Sequence, residues 1–200
     1  MKSYLPYKRL FDLIFAAVGL VLVSPLLLIA AILIKLTSQG PIFFKQIRIG
    51  MGQKEFKIFK FRTMYINAET QGTQITIGRD PRITSIGHYL RTYKLDELPQ
   101  LFNVLRGEMS LVGPRPEVPR YVKFYQEEQK KVFRVRPGIT DYASIKYFDE
   151  NRLLGEVKDP EDFYIHKIMP DKLDLNLQYI REMSLKKDMQ IILFTVIRIF

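Results

Sequence analysis

LIFAAVGLVLVSPLLLIAAILI, residues 13–34, is an uncharged apolar run of 22 residues near the start of a 200-residue chain. At 1.5 Å per residue a straight helix of this length reaches about 33 Å, enough to cross a bilayer. The run is long for the apolar core of a secretory signal and no small-x-small cleavage site follows it, so it reads as a retained membrane segment. Ser24 and Pro25 fall near its middle, where proline removes one backbone hydrogen bond and crowds the preceding turn. Two placements follow, a kinked spanning helix or a re-entrant helix-break-helix that dips into one leaflet and returns. The flanking charges favour the second. Lys2, Lys8 and Arg9 precede the run and Lys35, Lys45, Arg48 and Lys54 follow it, whereas a spanning helix normally has one less basic side.

Composition bounds the rest. The chain has no cysteine and only two histidines, His88 and His166, which excludes a disulfide framework and argues against a nitrogen/sulfur zinc site. A metal here would be held by oxygen, which points to magnesium or calcium. Lys+Arg outnumber Asp+Glu by 31 to 21, a formal charge of +10, so polyanions such as lipid headgroups, nucleic acid and phosphorylated substrates are the candidate partners. The length allows one compact domain beside the membrane segment.

Beyond the run, IFFKQIRIG (42–50) and KEFKIFKFRTM (54–64) flank a turn with Gly50 and Gly52 and predict a short β-hairpin. Lys60 and Arg62, two apart, would share one strand face. Residues 67–82 read as a polar surface loop. Leu98, Leu101, Phe102 and Leu105 recur at helical spacing, with Pro99 in the first turn and Gly107 after the end. Gly-Pro-Arg-Pro at 113–116 makes a stiff loop holding Arg115. Tyr121, Val122, Tyr125, Val132 and Phe133 predict a helix up to Arg136, which Pro137-Gly138 stops. A last helix from about Asp171 ends in MQIILFTVIRIF, apolar on nearly all sides from Ile191 to Ile197, and is either an interfacial or a core helix. The expected fold class is α+β, a mainly helical membrane-associated single domain with a short hairpin.

Dinucleotide, Walker-type and nucleophile-elbow motifs are absent from the sequence. The chemistry that remains is a carboxylate pair among arginines. Asp96-Glu97 lies at a predicted helix start, where free N–H groups attract phosphate, and Asp96 could alternatively be a plain N-cap. Arg79, Arg82, Arg91, Arg106 and Arg115 lie close by in sequence. Guanidinium groups grip phosphate with paired hydrogen bonds, so the set suits a diphosphate.

KLDELPQLFNVLRGEMSLVGPRP, residues 94–116, resembles the signature of the bacterial sugar transferases called monotopic phosphoglycosyl transferases. Lys8-Arg-Leu-Phe-Asp12, Gly40-Pro-Ile-Phe-Phe-Lys-Gln46, Lys57-Ile-Phe-Lys-Phe-Arg-Thr-Met64, Asp80-Pro-Arg-Ile-Thr84 and Arg136-Pro-Gly-Ile-Thr140 extend the likeness over most of the chain from Tyr7 onward. The resemblance implies a re-entrant helix broken at Ser24-Pro25 over residues 1–36, a catalytic domain over 37–200 on the cytoplasmic face of the bacterial inner membrane, and the minimal catalytic form. It implies that Asp96 attacks the β-phosphate of a UDP-sugar, releasing UMP, that undecaprenyl phosphate then takes the phosphosugar, and that Glu97 binds magnesium (Mg2+). Arg91 and Arg115 would contact phosphate, with Lys60, Arg62, Arg79, Asp80 and Arg82 near the site. Nucleic acid is not expected as a partner, membrane lipid is, and a homo-oligomer is compatible with the sequence. One departure stands out: many members continue Pro-Gly-Ile-Thr-Gly-x-Ala-Gln where this chain reads Asp141-Tyr-Ala-Ser144. Direct transfer without a covalent intermediate, and a non-catalytic basic membrane adaptor, are the competing readings.

Overall fold

The structure is a computed structural model that describes residues 4–68, 75–78 and 80–199. Helix α1 (Tyr4–Thr37) is a single element of 34 residues with Pro25 inside it. The expected interruption at Ser24-Pro25 is therefore absent from the helical hydrogen-bonded run. The sequence carries its own repair: proline cannot donate to the carbonyl of Val21, and the hydroxyl of Ser24 donates to that oxygen instead, at 2.8 Å.

One stripe of α1 faces the protein over most of its length. Lys8, Asp12, Ala16, Ala30 and Ile34 are buried, and their spacing continues through the half-buried Leu20, Val23 and Leu27, as a helical period requires. Ala16 packs with Ile58, Leu101, Val104 and Met109, while Ala30 and Ile34 pack with Phe61 and Leu90. The opposite face, including Val21, Leu22, Leu28 and Ile29, is apolar and exposed.

The hairpin forms as predicted, β1 (Phe43–Ile49) antiparallel to β2 (Glu55–Phe61), with Phe44 opposite Lys60. Helix α2 (Ser85–Thr92) is capped by Thr84, whose Oγ1 accepts from the Gly87 amide at 3.0 Å. Helix α3 (Gln100–Arg106) ends at Gly107, left-handed at φ 83°. Its last carbonyls are covered by Arg9, which donates to Val104 O at 2.8 Å and Leu105 O at 3.3 Å. Asn103, fully buried, fastens α3 to β2 by accepting from the Phe59 amide at 2.9 Å and donating to Lys57 O at 2.8 Å.

Strand β3 (Ser110–Val112) pairs parallel with β4 (Gly138–Thr140), a contact with no hairpin signal in the sequence. Here two loops cross so closely that a Cβ on Gly138 would lie 2.0 Å from the Gly113 nitrogen. The remaining helices are α4 (Pro119–Val122), α5 (Tyr142–Lys146), α6 (Glu150–Gly155), α7 (Pro160–Phe163), α8 (Met169–Glu182) and α9 (Leu185–Ile199).

Two helices differ from expectation. The predicted helix up to Arg136 is α4 followed by a 3-10 segment over Gln129–Arg134. The Gln129 side chain takes the Gln126 amide at 2.9 Å, and the fold-back stacks Tyr125 on Phe133 with centroids 5.8 Å apart. The predicted last helix is two, α8 and α9, divided at Met183-Ser184, where the Ser184 hydroxyl accepts from the Lys187 amide at 3.3 Å. Ile191 of α9 is fully buried while Leu193, Phe194, Val196 and Ile197 are exposed, so this helix has a core face and an apolar outer face.

Candidate active site

The tail of β2, α2, the turn before α3 and the loop after β3 converge on a cavity of about 580 Å³. Asp96 and Glu97 lie in a 3-10 turn (Leu95–Glu97) that feeds α3, and neither caps it. The residue before the turn, Lys94, is left-handed at φ 54°, a backbone that non-glycine residues adopt at some cost and that recurs at functional sites. The Lys94 ammonium lies 4.7 Å from the Phe148 ring centroid and also lines the cavity.

The two carboxylates have opposite surroundings. Glu97 is gripped by cations: Lys60 Nζ donates to Oε1 at 2.8 Å, Arg115 NH1 to Oε2 at 3.1 Å, and Arg115 NH2 also reaches Oε1. Burial opposes the Glu97 charge, but the Arg115 guanidinium and Lys60 ammonium outweigh it and hold its carboxyl well below the usual range. Asp96 is 7% exposed, lines the cavity, and makes no hydrogen bond or ion pair from its side chain among the described residues. Burial, helped by the neighbouring Glu97 charge, raises its pKa against the pull of Lys60, Arg91 and Lys94. Burial likewise lowers Lys60, and Glu97 partly restores it.

Arg91 is aimed by two threonines, its Nε to Thr63 Oγ1 at 2.8 Å and its NH1 to Thr76 Oγ1 at 3.0 Å. It has no ion-pair partner among the described residues, which leaves a cation at the cavity wall for an anionic ligand. Lys60, Arg91, Asp96, Glu97 and Arg115 thus all line this cavity.

Arg62, Asp80 and Arg82 do not line this cavity. Arg62 turns to the end of α1, donating to Ser38 O at 2.9 Å, Ser38 Oγ at 2.7 Å and Gln39 O, so it caps a helix. Asp80 and Arg82 pair with each other, at 2.6 Å from Arg82 NH2, and that contact holds the Asp80 carboxyl below its usual range. Asp80 still acts electrostatically on Arg91 from behind. Arg106 stacks over Phe59, 4.8 Å to the centroid. Arg79 lies outside the described residues.

The structure also explains part of the Asp141–Ser144 departure. Asp141 is fully buried; its Oδ1 caps α5 by accepting from the Ser144 amide at 2.6 Å and its Oδ2 accepts from the Arg115 amide at 3.1 Å. Sequence reasoning flagged the stretch but not this clamp. An Asp three residues before Ser144 at a helix start was the available signal.

No site of three or more His, Cys, Asp or Glu suited to a metal is present among the described residues. Magnesium is commonly held by one or two carboxylates together with substrate phosphates and water, and two carboxylates, Asp96 and Glu97, line the cavity.

A model of the bacterial sugar transferase family matches residues 3–200, and the chain belongs to that family. It is 40% identical over 192 residues to a UDP-N-acetylgalactosamine-undecaprenyl-phosphate N-acetylgalactosaminephosphotransferase of Aeromonas hydrophila, covering 94% of this chain and 42% of the relative. It is 40% identical over 200 residues to a UDP-glucose:undecaprenyl-phosphate glucose-1-phosphate transferase of Escherichia coli, covering 96% and 40%. An uncharacterized sugar transferase of Bacillus subtilis is 36% identical over 189 residues, covering 94% and 85%. The chain therefore spans about two fifths of the length of the first two relatives.

Replacing Asp141 by Ala removes a cap and frees the Arg115 amide, and is expected to cost about 1–2 kcal/mol of stability. Thermal or urea unfolding in detergent checks it. Asp141→Asn, which keeps an acceptor, should retain more of the stability than Asp141→Ala; equal midpoints for Ala and wild type would show that the clamp contributes nothing.

Proposed function

We propose that this protein transfers a sugar-1-phosphate from a UDP-sugar to undecaprenyl phosphate, releasing UMP, through a phosphosugar carried on Asp96. The observation that carries this reading is the buried, unpartnered Asp96 carboxylate facing a cavity beside a Glu97 already neutralised by Lys60 and Arg115. The activities named for the relatives support the substrate class.

An ionised carboxylate needs no base to attack phosphorus. Asp96 Oδ forms a bond to the β-phosphorus, the bond to the bridging oxygen of the diphosphate breaks, and UMP departs with that oxygen. A phosphate oxygen of the lipid carrier next attacks the same phosphorus, the bond to Asp96 breaks, and the carboxylate is regenerated as the lipid diphosphate-sugar leaves. Arg91 and Arg115 bind the phosphate oxygens and Lys60 holds Glu97 in place, so that charge developing in flight meets fixed cations. Glu97, with Asp96 beside it, would hold magnesium, which when bound supplies further neutralisation of the phosphoryl oxygens.

We further infer that α1 enters one leaflet and returns by bending at Pro25 while its helical hydrogen bonding continues, and that the domain sits on the cytoplasmic face of the inner membrane. A spanning helix would carry one end away from the domain, whereas the packed stripe runs from Lys8 to Ile34 on both sides of Pro25. Phe15 of α1 and Val196 and Ile199 of α9 also line the cavity, and the outer faces of both helices are apolar, a suitable entry for a prenyl chain. The chain lacks cysteine, so single cysteines at Tyr7 and Thr37 report cleanly. Both should be labelled from the cytoplasmic side in sealed inverted vesicles, and protection of one end alone would establish a spanning helix.

Purified protein with magnesium and undecaprenyl phosphate should release UMP from one member of a UDP-sugar panel, and should retain radiolabelled phosphosugar when the lipid is omitted. Asp96→Asn should abolish both; full activity in Asp96→Asn would refute the mechanism, and UMP release without any trapped label would favour direct transfer.

Because the Asp96 pKa is raised, the nucleophile is lost as pH falls through a value above that of an ordinary aspartate. The acid limb of kcat/KM should accordingly lie above about pH 4. Lys60 lowers the Asp96 pKa, so Lys60→Met should move that limb to higher pH as well as slow the reaction. A limb that stays in place would show that Lys60 does not act on Asp96.

A further inference from the structure

Two of the residues that line the cavity carry buried polar atoms that phosphoryl transfer does not use. Asn176 on α8 is only 3% exposed, lines the cavity with Lys172 and Leu173, and its Oδ1 has no hydrogen-bond partner among the described residues. Ser144 on α5 lines the same cavity, and its buried Oγ likewise has no partner. The Ser144 amide is already engaged by Asp141, so the hydroxyl is the group left over. Native interiors keep few such atoms unpaired, and because both residues line the cavity a rotation of each side chain would present the unpaired atom to a ligand there.

Their position relative to the phosphate site narrows the ligand. Lys172 lies one helical turn before Asn176 and pairs with Glu150 at 2.5 Å. Glu150 and Asp141 both act on the Arg115 guanidinium, and Asp141 is the cap that begins the helix bearing Ser144. Arg115 in turn grips Glu97, next to Asp96. Two short structural links therefore join the phosphate grip to the two unpaired groups. An amide oxygen is an acceptor and repels phosphate, which is itself an acceptor; it suits a neutral group that donates, such as a sugar hydroxyl or an acetamido N–H. Ser144 Oγ can both donate and accept. The sugar is bonded directly to the phosphate that Asp96 attacks, which keeps it within reach of this grip, and unlike the other group on that phosphate it is neutral.

We propose that Asn176 and Ser144 are the residues that read the donor sugar and set which sugar is transferred. The assignment rests on the UDP-sugar reading above. A site built to hydrogen-bond a substrate hydroxyl or N–H discriminates by leaving its own buried groups unpaired when the wrong sugar binds.

The test measures kcat/KM for UMP release by the full chain in detergent with UDP-glucose, UDP-galactose and their two N-acetylhexosamine counterparts, for wild type, Asn176→Ala and Ser144→Ala. The preferred donor should lose about tenfold in Asn176→Ala, as loss of one good hydrogen bond predicts. The other donors should change much less, so the preference ratio collapses while KM for undecaprenyl phosphate holds. Ser144→Ala removes a single oxygen, leaves the Asp141 cap in place, and should shift the same ratio in protein that melts like wild type; it decides the matter if Asn176→Ala misfolds. A uniform loss over all donors would overturn the proposal in favour of contacts to the shared uridine, and an unchanged ratio in both variants would overturn it outright. Wild-type protein that releases no UMP from any of the four would instead overturn the donor reading, and this assignment would fall with it.

Discussion

The ammonium of Lys8, buried 2.5 Å from Asp188 Oδ2 and 3.7 Å from Asp12, ties the start of the membrane helix to the start of α9. Taking these charges out of water is costly, and the cluster survives only because each group has further partners. Tyr179 donates to Asp188 Oδ1 at 2.6 Å, Tyr4 donates to Oδ2 at 2.7 Å, and Asp12 accepts from the Leu111 amide at 3.2 Å. The Tyr179 hydroxyl also lies 3.2 Å from Val112 O. The cluster thus holds Leu111 and Val112 of β3. Three residues beyond Val112 comes Arg115, the cation that grips Glu97. The placement of α1 is thereby tied, through β3, to the loop that carries Arg115, and truncating the ammonium would leave two buried carboxylates facing each other.

How much of this was legible in the sequence depends on the range of the interaction concerned. The hairpin and α3 follow from local periodicity and turn residues, and both form close to their predicted bounds. The failures are tertiary. Tyr125 and Phe133 read as one helical face, but the pair stacks by folding the chain back. The Met183-Ser184 break needs Asp188 to be drawn to Lys8, 180 positions away in sequence. Arg82 suited a phosphate ligand by type and proximity, and the resemblance placed both Arg62 and Arg82 near the site. A guanidinium serves as well on helix-end carbonyls or on an adjacent carboxylate, and only the fold reveals that Ser38 and Asp80 reach them first. Thr63, Thr76 and Asn176 carry no sequence signal, because what distinguishes a short polar side chain at a site from one on the surface is its burial.

Asp96 and Glu97 are adjacent in sequence yet occupy different electrostatic worlds, and the local backbone is the reason. A 3-10 turn advances about 120° per residue, so neighbouring side chains diverge by a third of a circle, slightly more than on an α-helix. The left-handed Lys94 starts the turn abruptly after α2, and Pro99 allows it to pass into α3 without an amide to satisfy. Glu97 then swings into the Lys60–Arg115 fork, while Asp96 swings to the cavity with nothing bonded to it. Carboxylates pushed apart in pKa by such surroundings can take different tasks: the one stabilised as an anion by the Lys60–Arg115 fork is the poorer nucleophile, and the desolvated one is the more basic. Exchanging the two residues would leave composition, charge and sequence neighbourhood unchanged, yet each carboxylate would differ by one methylene in reach. An aspartate at 97 would fall short of the fork, and a glutamate at 96 would carry its carboxylate further into the cavity. The order Asp-Glu, rather than the mere presence of two acids, is what the geometry requires.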